Sequence, residues 1–323
     1  KISPIDVIEA VRTNPDRFLM ELTPFFQHIN QSFETKNWVD IESEYYFWLK
    51  RIFRESDCGY EGAKPLNKEL DAIKKRLIEY LDGIQKDQIK PDLVKECIQK
   101  AIHEPCEAQD ISIDGQPAFE DFAKKRLNFL TTQSDGEKEF FLNKFGYPYL
   151  SNHSNIDEYN KQITNKNYRP GLNDPVSYSL HIKNIYKCRA IVPDFYLLPD
   201  QILLLNFNYT TTADMYLYKN SGFEVNHIHG KLGDNLNHII FGYGDEMDDD
   251  YKTISKLNDN DYLTNIKSIR YLETDKYRKL LRFINSDYYQ IYIMGHSCGN
   301  SDRTLLNTLF EHPKCVSIKP FYY

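Results

Sequence analysis

The C-terminal part of the chain carries three polar clusters, each placed where a short apolar run ends. The runs span residues 202–205, 223–225 and 291–294, and the clusters after them begin at Asn206, His227 and Gly295. Short apolar runs bounded by polar residues and glycine are typical of buried strands. In open α/β sheets, ligands bind in the crevice outside the carboxyl ends of the strands. The arrangement therefore predicts an α/β fold with a mostly parallel sheet and a functional site at one end of it.

The pattern of apolar residues in the N-terminal half of the chain predicts helices. Apolar residues recur with helical spacing over 41–52 and again over 70–84, as helices packed on one face require. Ser3 and Pro4 predict a further helix start near the N-terminus. The segment 147–199 is rich in Asn, Tyr and Pro without sustained periodicity, which is typical of long loops.

From residue 201 onward, apolar runs alternate with a helix that starts at Ser301-Asp302-Arg303, which is the pattern of a parallel βαβ unit. Seven of the fourteen glycines also lie in this region, mostly beside the polar clusters, so we expect the backbone to approach a ligand there. We therefore predict four segments: N-terminal helices packed on the core in 1–57, a helical insertion in 58–146, a loop-rich lid or connection in 147–200, and the α/β core in 201–323.

Charge, hydropathy and cysteine content exclude several classes of protein. The chain has 323 residues and a net charge of −7, which provides no global attraction for nucleic acid or anionic lipid. No apolar stretch approaches the roughly 20 residues of a membrane helix, and the first residues lack the apolar core of a signal peptide. The six cysteines form no CxxC pair, so neither a zinc ribbon nor a disulfide framework is indicated. We expect a cytoplasmic protein that binds neither membrane nor nucleic acid.

The first two clusters contain the candidate catalytic side chains. Asn206 and Asn208 are two residues apart, so an extended strand end projects both to one face, where an amide can orient a water or a sugar hydroxyl. The alternative is that these asparagines cap the following helix. His227 and His229 have the same spacing, and Gly230 leaves room for a ligand beside the second ring.

Three interpretations of the histidine pair remain open. A general base comes first because histidine titrates near neutrality, and a core histidine bonded to backbone comes second. A metal pair completed by Asp245 or His296 comes third, because no carboxylate or cysteine lies nearby at ligand spacing. Asp245 itself follows the short apolar run at 239–240 and is expected at another strand end, although Gly-Asp is also an ordinary turn.

The third cluster has the spacing of a GxSxG nucleophile elbow at Gly295, Ser297 and Gly299. That motif needs an acid and a histidine later in the chain, and only Glu311 and His312 follow Asp302. We therefore reject a serine hydrolase. Gly295 and Ser297 instead predict a close-approach turn that presents backbone N–H groups and a hydroxyl to a ribose or phosphate at a helix start.

Taken together, these motifs closely resemble the bacteriophage abortive infection family AbiH. The residues that carry the resemblance lie at 206–210, 227–230, 241–245 and 295–302, and 38–42 resembles the family's N-terminal Trp-x-Asp-x-Glu helix. AbiH proteins are in turn similar to the sirtuin-like NAD-cleaving domains of bacterial defence systems. The resemblance implies a Rossmann-like, sirtuin-like sheet with a large helical insertion, a role in anti-phage defence, and hydrolysis of the N-glycosidic bond of NAD+ or a related nucleotide.

The resemblance also implies roles for individual residues. Asn208 takes the place of the asparagine that orients ribose or water, and His229 takes the place of the general base. The expected nucleotide-binding residues are Asn206, His227, Gly230, Asp245, Gly295, His296, Ser297 and Asp302. NAD+ is then a substrate rather than a tightly bound cofactor, and no metal ion is expected. The expected partners are a nucleotide and either a phage protein as trigger or further copies of the chain.

The chain departs from the sirtuin-like pattern at two points. Thr210 stands where that pattern has an acid, and the family's opening Gly-Asn-Gly-Phe-Asp segment, which supplies the pyrophosphate cradle, is not in the chain. The expectation is that the sequence is a fragment or that its nucleotide binding is degenerate. The missing segment, together with a large helical region that could dock phage or toxin partners, supports an alternative function: a non-catalytic nucleotide-sensing or protein-interaction module of a defence system.

Overall fold

The computed structural model describes most of the chain outside its middle segment. The described residues are 22–36, 40–55, 57–104, 110–122, 199–217, 223–244 and 248–321, together with Thr13, Cys106 and Lys125. The helix predicted near Ser3 and nearly all of the predicted loop-rich segment 147–200 lie outside them.

The helices of the described N-terminal region include α1 (Pro24–Lys36), α2 (Ile41–Arg54), α3 (Ala63–Asp87) and α4 (Glu96–Ile102). Helix α2 begins where predicted because the Asp40 carboxylate accepts the backbone N–H of Ser43, which caps the first turn. Its buried face consists of Tyr45, Tyr46, Trp48, Leu49 and Ile52. The predicted amphipathic helix over 41–52 is therefore confirmed.

The N-terminal helices share one hydrophobic core with residues from the C-terminal region. Helices α1, α2 and the first half of α3 contribute most of it, and Tyr243, Ile254 and Tyr262 complete it. Asn67 of α3 accepts the Tyr45 hydroxyl at 2.7 Å and donates to the Asp261 carbonyl at 2.7 Å. The first half of α3 is thus held to the C-terminal region by packing and by hydrogen bonds.

The C-terminal region is mixed α/β with parallel strand pairs. Its elements are β1 (Leu203–Asn206), β2 (Glu224–His227), α5 (Asp249–Ile254), α6 (Lys267–Arg270), α7 (Lys276–Ser286), β3 (Tyr289–Met294), α8 (Arg303–Phe310) and β4 (Cys315–Phe321). Strand β1 pairs in parallel with β2, and β3 pairs in parallel with β4. Within the described residues these are two separate pairs. The strands predicted at 202–205, 223–225 and 291–294, the helix after Asp302 and the parallel pairing are confirmed. The strand predicted to end before Asp245 is wrong, because residues 239–242 form no strand and Tyr243 makes only an isolated bridge with Ile266.

A second hydrophobic core lies under the strands. Its buried members are Ile228, Ile240, Tyr271, Leu280, Ile284, Leu305 and Leu309. Helices α7 and α8 supply most of these side chains, and α7 also contacts β2. This packing determines the position of the loops that follow β1, β2 and β3.

None of the helices that the structure describes is long and apolar enough to cross a bilayer.

We predict that Gly242→Ala destabilises the protein by about 1–3 kcal/mol, the usual range for overpacking. A Cβ at this position would overlap the backbone carbonyl oxygen of Asn265, and backbone cannot move aside as a flexible side chain can. The free energy of unfolding from urea titration measures the effect.

Gly83→Ala is the matched control because Gly83 lies inside α3 and a Cβ there meets no atom within 4 Å. Alanine has the higher helix propensity, so this variant is expected to gain about 0.5–1 kcal/mol. Equal stability of the two variants would contradict the close packing of Gly242.

Candidate active site

The predicted site motifs meet at the carboxyl ends of β1 and β2. Asn206 lies opposite His227 in the parallel register, so the clusters that begin at these residues are neighbours. Phe207, directly after β1, lies with its ring centroid 5.1 Å from that of His229 and 4.1 Å from that of His296. The cluster that follows β3 is therefore joined to the other two through the Phe207 ring.

His229 is held by a buried carboxylate. The residue is 4% exposed, and its Nε2 lies 3.1 Å from Oδ1 of Asp302 and 2.9 Å from Oη of Tyr271. Burial raises the pKa of the Asp302 carboxyl, but the hydrogen bond from His229 and the charge of Lys267 outweigh it and hold this pKa well below its usual range. Since an ionised carboxylate repels the lone pair of an unprotonated ring nitrogen, the contact with Asp302 favours the neutral tautomer with the proton on Nε2. The nitrogen left to accept a proton is Nδ1.

Lys267 connects Asp302 to the N-terminal helices. Its fully buried ammonium lies 2.9 Å from Oδ1 of Asp302 and 2.8 Å from Oε2 of Glu42. The other Glu42 oxygen accepts the backbone N–H of Gly242 at 3.0 Å. Burial lowers the pKa of Lys267, but the two carboxylates outweigh it, so this pKa is raised and the lysine is charged.

We call Glu42, Lys267, Asp302, His229 and Tyr271 the buried charge cluster. With a neutral imidazole it contains two carboxylates and one ammonium, so one negative charge is unbalanced. The Tyr271 phenol stays protonated because burial, and then the charges of Asp302 and Glu42, raise its pKa well above 10.

Five different segments supply the cluster, with His229 coming from the turn after β2. Glu42 lies in the first turn of α2, Lys267 begins α6, and Tyr271 begins the 3₁₀ turn Tyr271–Glu273. Asp302 directly precedes α8 as predicted, but its side chain makes no capping hydrogen bond. Its carboxylate binds Lys267 and His229 instead.

The two histidines of the second cluster contact different groups. Strand β2 ends at His227, and residues 228 and 229 form a turn, so the prediction that both rings lie on one strand face is wrong. His227 Nδ1 lies 3.0 Å from Asn206 Nδ2, and its Nε2 lies 3.0 Å from Oδ2 of Asp214. Both of its ring nitrogens are therefore occupied by the protein.

The asparagine pair also divides into two environments. Asn206 is buried, and its amide bonds the backbone of Asn208 and Thr210. Asn208 is exposed, and its side chain makes no hydrogen bond with any residue that the structure describes. The next 3₁₀ turn, Thr211–Tyr216, has no side-chain cap at Thr210, and Gln85 of α3 accepts its first N–H. Of the two asparagines, Asn208 is the one that faces solvent.

Gly230 and Gly295 of the predicted site both have a positive φ, but their surroundings differ. Gly230 has a φ of +91°, and the space that a Cβ would occupy is taken by the backbone of His238. The expectation that Gly230 leaves room for a ligand is therefore wrong, because protein fills that room. Gly295 has a φ of +68°, and a Cβ there would meet no atom within 4 Å. The space beside Gly295 is open.

The turn after β3 is exposed except for His296. Ser297 and Cys298 face solvent, and Cys298 adopts a left-handed φ of 53°, uncommon for a residue with a side chain. The Cys298 N–H donates to Nδ1 of His296 at 2.9 Å, and His296 Nε2 lies 3.8 Å from Oδ2 of Asp302. Burial lowers the pKa of His296, with Asp302 opposing this shift in part.

The metal interpretation named His227, His229 and either Asp245 or His296. Asp245 lies outside the described residues. Among the residues that are described, no three His, Cys, Asp or Glu side chains converge as they do around a metal ion.

Sequence patterns do not identify Lys267 and Tyr271 as residues of the site. A single lysine beside Ile266 and a tyrosine before Leu272 show no spacing that distinguishes them from surface residues. Glu42 belongs to the Trp-x-Asp-x-Glu segment, and this motif is the one sequence signal that points to it. Trp38 of that segment lies outside the described residues.

Fold and site together define a mixed α/β protein with a buried histidine–aspartate pair beside the ends of parallel strands. The chain matches the family described as bacteriophage abortive infection AbiH over residues 9–323. It therefore belongs to this family, as its motifs had indicated, and the family implies a role in abortive infection as a phage defence. No curated protein and no solved structure gives a match.

We predict that Lys267→Met destabilises the protein by about 3–5 kcal/mol, because it leaves the buried Asp302 carboxylate and the largely buried Glu42 carboxylate without their counter-ion. The control is Lys279→Met, which removes an exposed pair with Asp275 and should change stability by at most about 1 kcal/mol. Urea unfolding of both variants is the measurement. A loss no greater for Lys267→Met than for Lys279→Met would contradict the buried charge cluster.

We also predict that stability falls on mild acidification. The folded-state pKa values of His227 and His296 lie below the usual 6.5, mainly because of burial. Below about pH 6.5 the unfolded chain therefore binds more protons than the folded chain, so the free energy of unfolding decreases until the pH passes the folded-state pKa values. Urea midpoints measured between about pH 8 and pH 5 test this, with His296→Gln expected to flatten the dependence. An equally steep dependence in that variant would exclude His296 as a contributor.

Proposed function

We propose that this AbiH protein hydrolyses the N-glycosidic bond of NAD+ or a related nucleotide as its defence activity. The observation that carries the proposal is the His229–Asp302 pair, in which a buried carboxylate fixes the imidazole beside the carboxyl ends of two parallel strands. A histidine oriented in this way is a common general base. We place the reaction in the cytoplasm, where the cysteine content had led us to expect the protein.

In the proposed reaction, the bond between the nicotinamide nitrogen and the ribose breaks, and its electron pair leaves with nicotinamide. Positive charge builds on the ribose ring, a water molecule adds to the same carbon, and the proton of that water passes to Nδ1 of His229. Asp302 accepts the Nε2–H of the resulting imidazolium. Asn208 holds the water or a ribose hydroxyl in line for this transfer.

The charge of the cluster favours this chemistry. Glu42, Lys267 and Asp302 together carry one unbalanced negative charge, largely removed from solvent. A fixed negative charge in a low-dielectric site stabilises the positive charge that develops on ribose and imidazole.

The exposed residues suggest where the nucleotide lies. Asn208 follows Phe207, whose ring contacts His229, while Gly295 and Ser297 flank His296, whose ring contacts Phe207. The open space beside Gly295 leaves room for the ligand. In the proposal the ribose lies near Asn208 and His229, and the adenosine side lies along 295–297. The proposal also treats the two strand pairs as parts of one Rossmann-like, sirtuin-like sheet.

We predict that His229→Gln lowers the rate of nicotinamide release from NAD+ by about 10²–10⁴-fold, the usual contribution of a general base. His238→Gln is the control, because His238 is an exposed histidine that bonds Glu273. The assay uses the complete protein, with and without phage infection of the producing cells to supply a trigger. Equal release by the wild type and His229→Gln would reject the catalytic role of His229.

The second candidate is a non-catalytic sensing or interaction module, and one observation favours it. The His229 ring is nearly fully buried, and its Nε2 takes part in a cluster that joins α2 to the C-terminal region, as a structural histidine does. Retained phage protection in a folded His229→Gln variant, with no nicotinamide release from the wild type, would establish this candidate instead.

A further inference from the structure

We propose that His227 is a positioning residue: in its neutral form with the proton on Nε2, it fixes Asn206 and thereby the turn that carries Asn208. The inference rests on the function proposed above in so far as Asn208 acts on the substrate. His227 is one of the residues that the sequence analysis expects to bind the nucleotide directly.

The orientation of the Asn206 amide is determined by the backbone. Its Oδ1 accepts the N–H of Asn208 at 3.1 Å, and its Nδ2 donates to the carbonyl of Thr210 at 3.2 Å. Backbone N–H groups only donate and carbonyl groups only accept. Turning the amide over would break both hydrogen bonds, so its nitrogen must face His227.

The orientation of the amide determines the tautomer of His227. Asn206 Nδ2 lies 3.0 Å from His227 Nδ1, and an amide nitrogen has no acceptor capacity, so Nδ1 must be the unprotonated acceptor. Nε2 therefore carries the proton and donates to Oδ2 of Asp214 at 3.0 Å. A continuous series of hydrogen bonds runs from Asp214 through His227 and Asn206 to the 207–210 turn.

An imidazolium at position 227 is incompatible with this arrangement. It would place an N–H of His227 against the N–H of Asn206, and a buried donor without an acceptor costs about 1–3 kcal/mol. The charged groups around the ring are Asp214 before β2, Lys231 after it and Lys276 at the start of α7. Burial lowers the pKa of His227, and Lys231 and Lys276 act in the same direction against Asp214. The ring is therefore neutral at pH 7.

The turn that His227 supports carries two groups of the candidate active site. Asn208 is the exposed amide of the proposed reaction, and the Phe207 ring contacts both His229 and His296. Loss of the Nδ1 acceptor leaves a buried Asn206 N–H unpaired and loosens the turn. A small displacement of a positioning group can lower a rate by about 100-fold.

Histidine ¹⁵N NMR of the complete protein at neutral pH tests the tautomer, with the His227 signals assigned by their loss in His227→Gln. The expected result is an unprotonated Nδ1 and a protonated Nε2. A protonated Nδ1, in either the other neutral tautomer or the imidazolium, would overturn the proposal. This measurement needs no substrate, so it stands apart from any failure of the proposed reaction.

Two substitutions then test the positioning role. His227→Gln can present a side-chain oxygen to Asn206, whereas His227→Phe has a ring of similar shape without an acceptor. Hydrogen exchange of the Asn208 amide is expected to stay slow in the Gln variant and to become at least about tenfold faster in the Phe variant, since this amide then opens to solvent. If NAD+ is cleaved, kcat should fall about 10–100-fold in the Phe variant and recover in the Gln variant.

Equal amide exchange in the two variants would reject the positioning role. If the Phe variant does not fold, amide exchange is compared between His227→Gln and the wild type, and faster exchange in His227→Gln would then reject the positioning role.

Discussion

The buried ammonium of Lys267 is the feature on which the rest of the structure depends. A charge removed from water in this way is tolerated only with close counter-charges, and Glu42 and Asp302 supply them at 2.8 and 2.9 Å. The two carboxylates come from opposite ends of the described chain, one from the first turn of α2 and one from the residue before α8. A single lysine thus joins the N-terminal helices to the α/β region.

The same interaction prepares the chemistry of the site. Oδ1 of Asp302 contacts both Lys267 and His229, so the carboxylate that balances the ammonium also orients the imidazole. Stability and the proposed activity therefore depend on the same atom. An Asp302 side chain turned toward the first N–H groups of α8, as an ordinary helix cap, would leave Lys267 short of one counter-charge and His229 without an acceptor.

Two histidines separated by one residue have different environments because β2 ends between them. His227 is the last strand residue, and its ring lies between Asn206 and Asp214, which occupy both nitrogens. His229 lies in the following turn and reaches Asp302 and Tyr271. The i, i+2 spacing predicts a shared face only where the chain stays extended. We infer that one ring positions the turn and the other accepts the proton.

The amino-acid sequence by itself determined the local elements: the capped α2 with its apolar stripe, the four short strands, and the polar residues that follow three of them. These follow from side-chain periodicity and capping, which depend on near neighbours. Only the tertiary structure decided that Glu42, Lys267 and Tyr271 belong with Asp302 and His229, and that His238 fills the space beside Gly230. The physical reason is that an ion pair between residues 42 and 267 is formed by packing of distant segments, and no local pattern distinguishes a buried lysine from a solvated one.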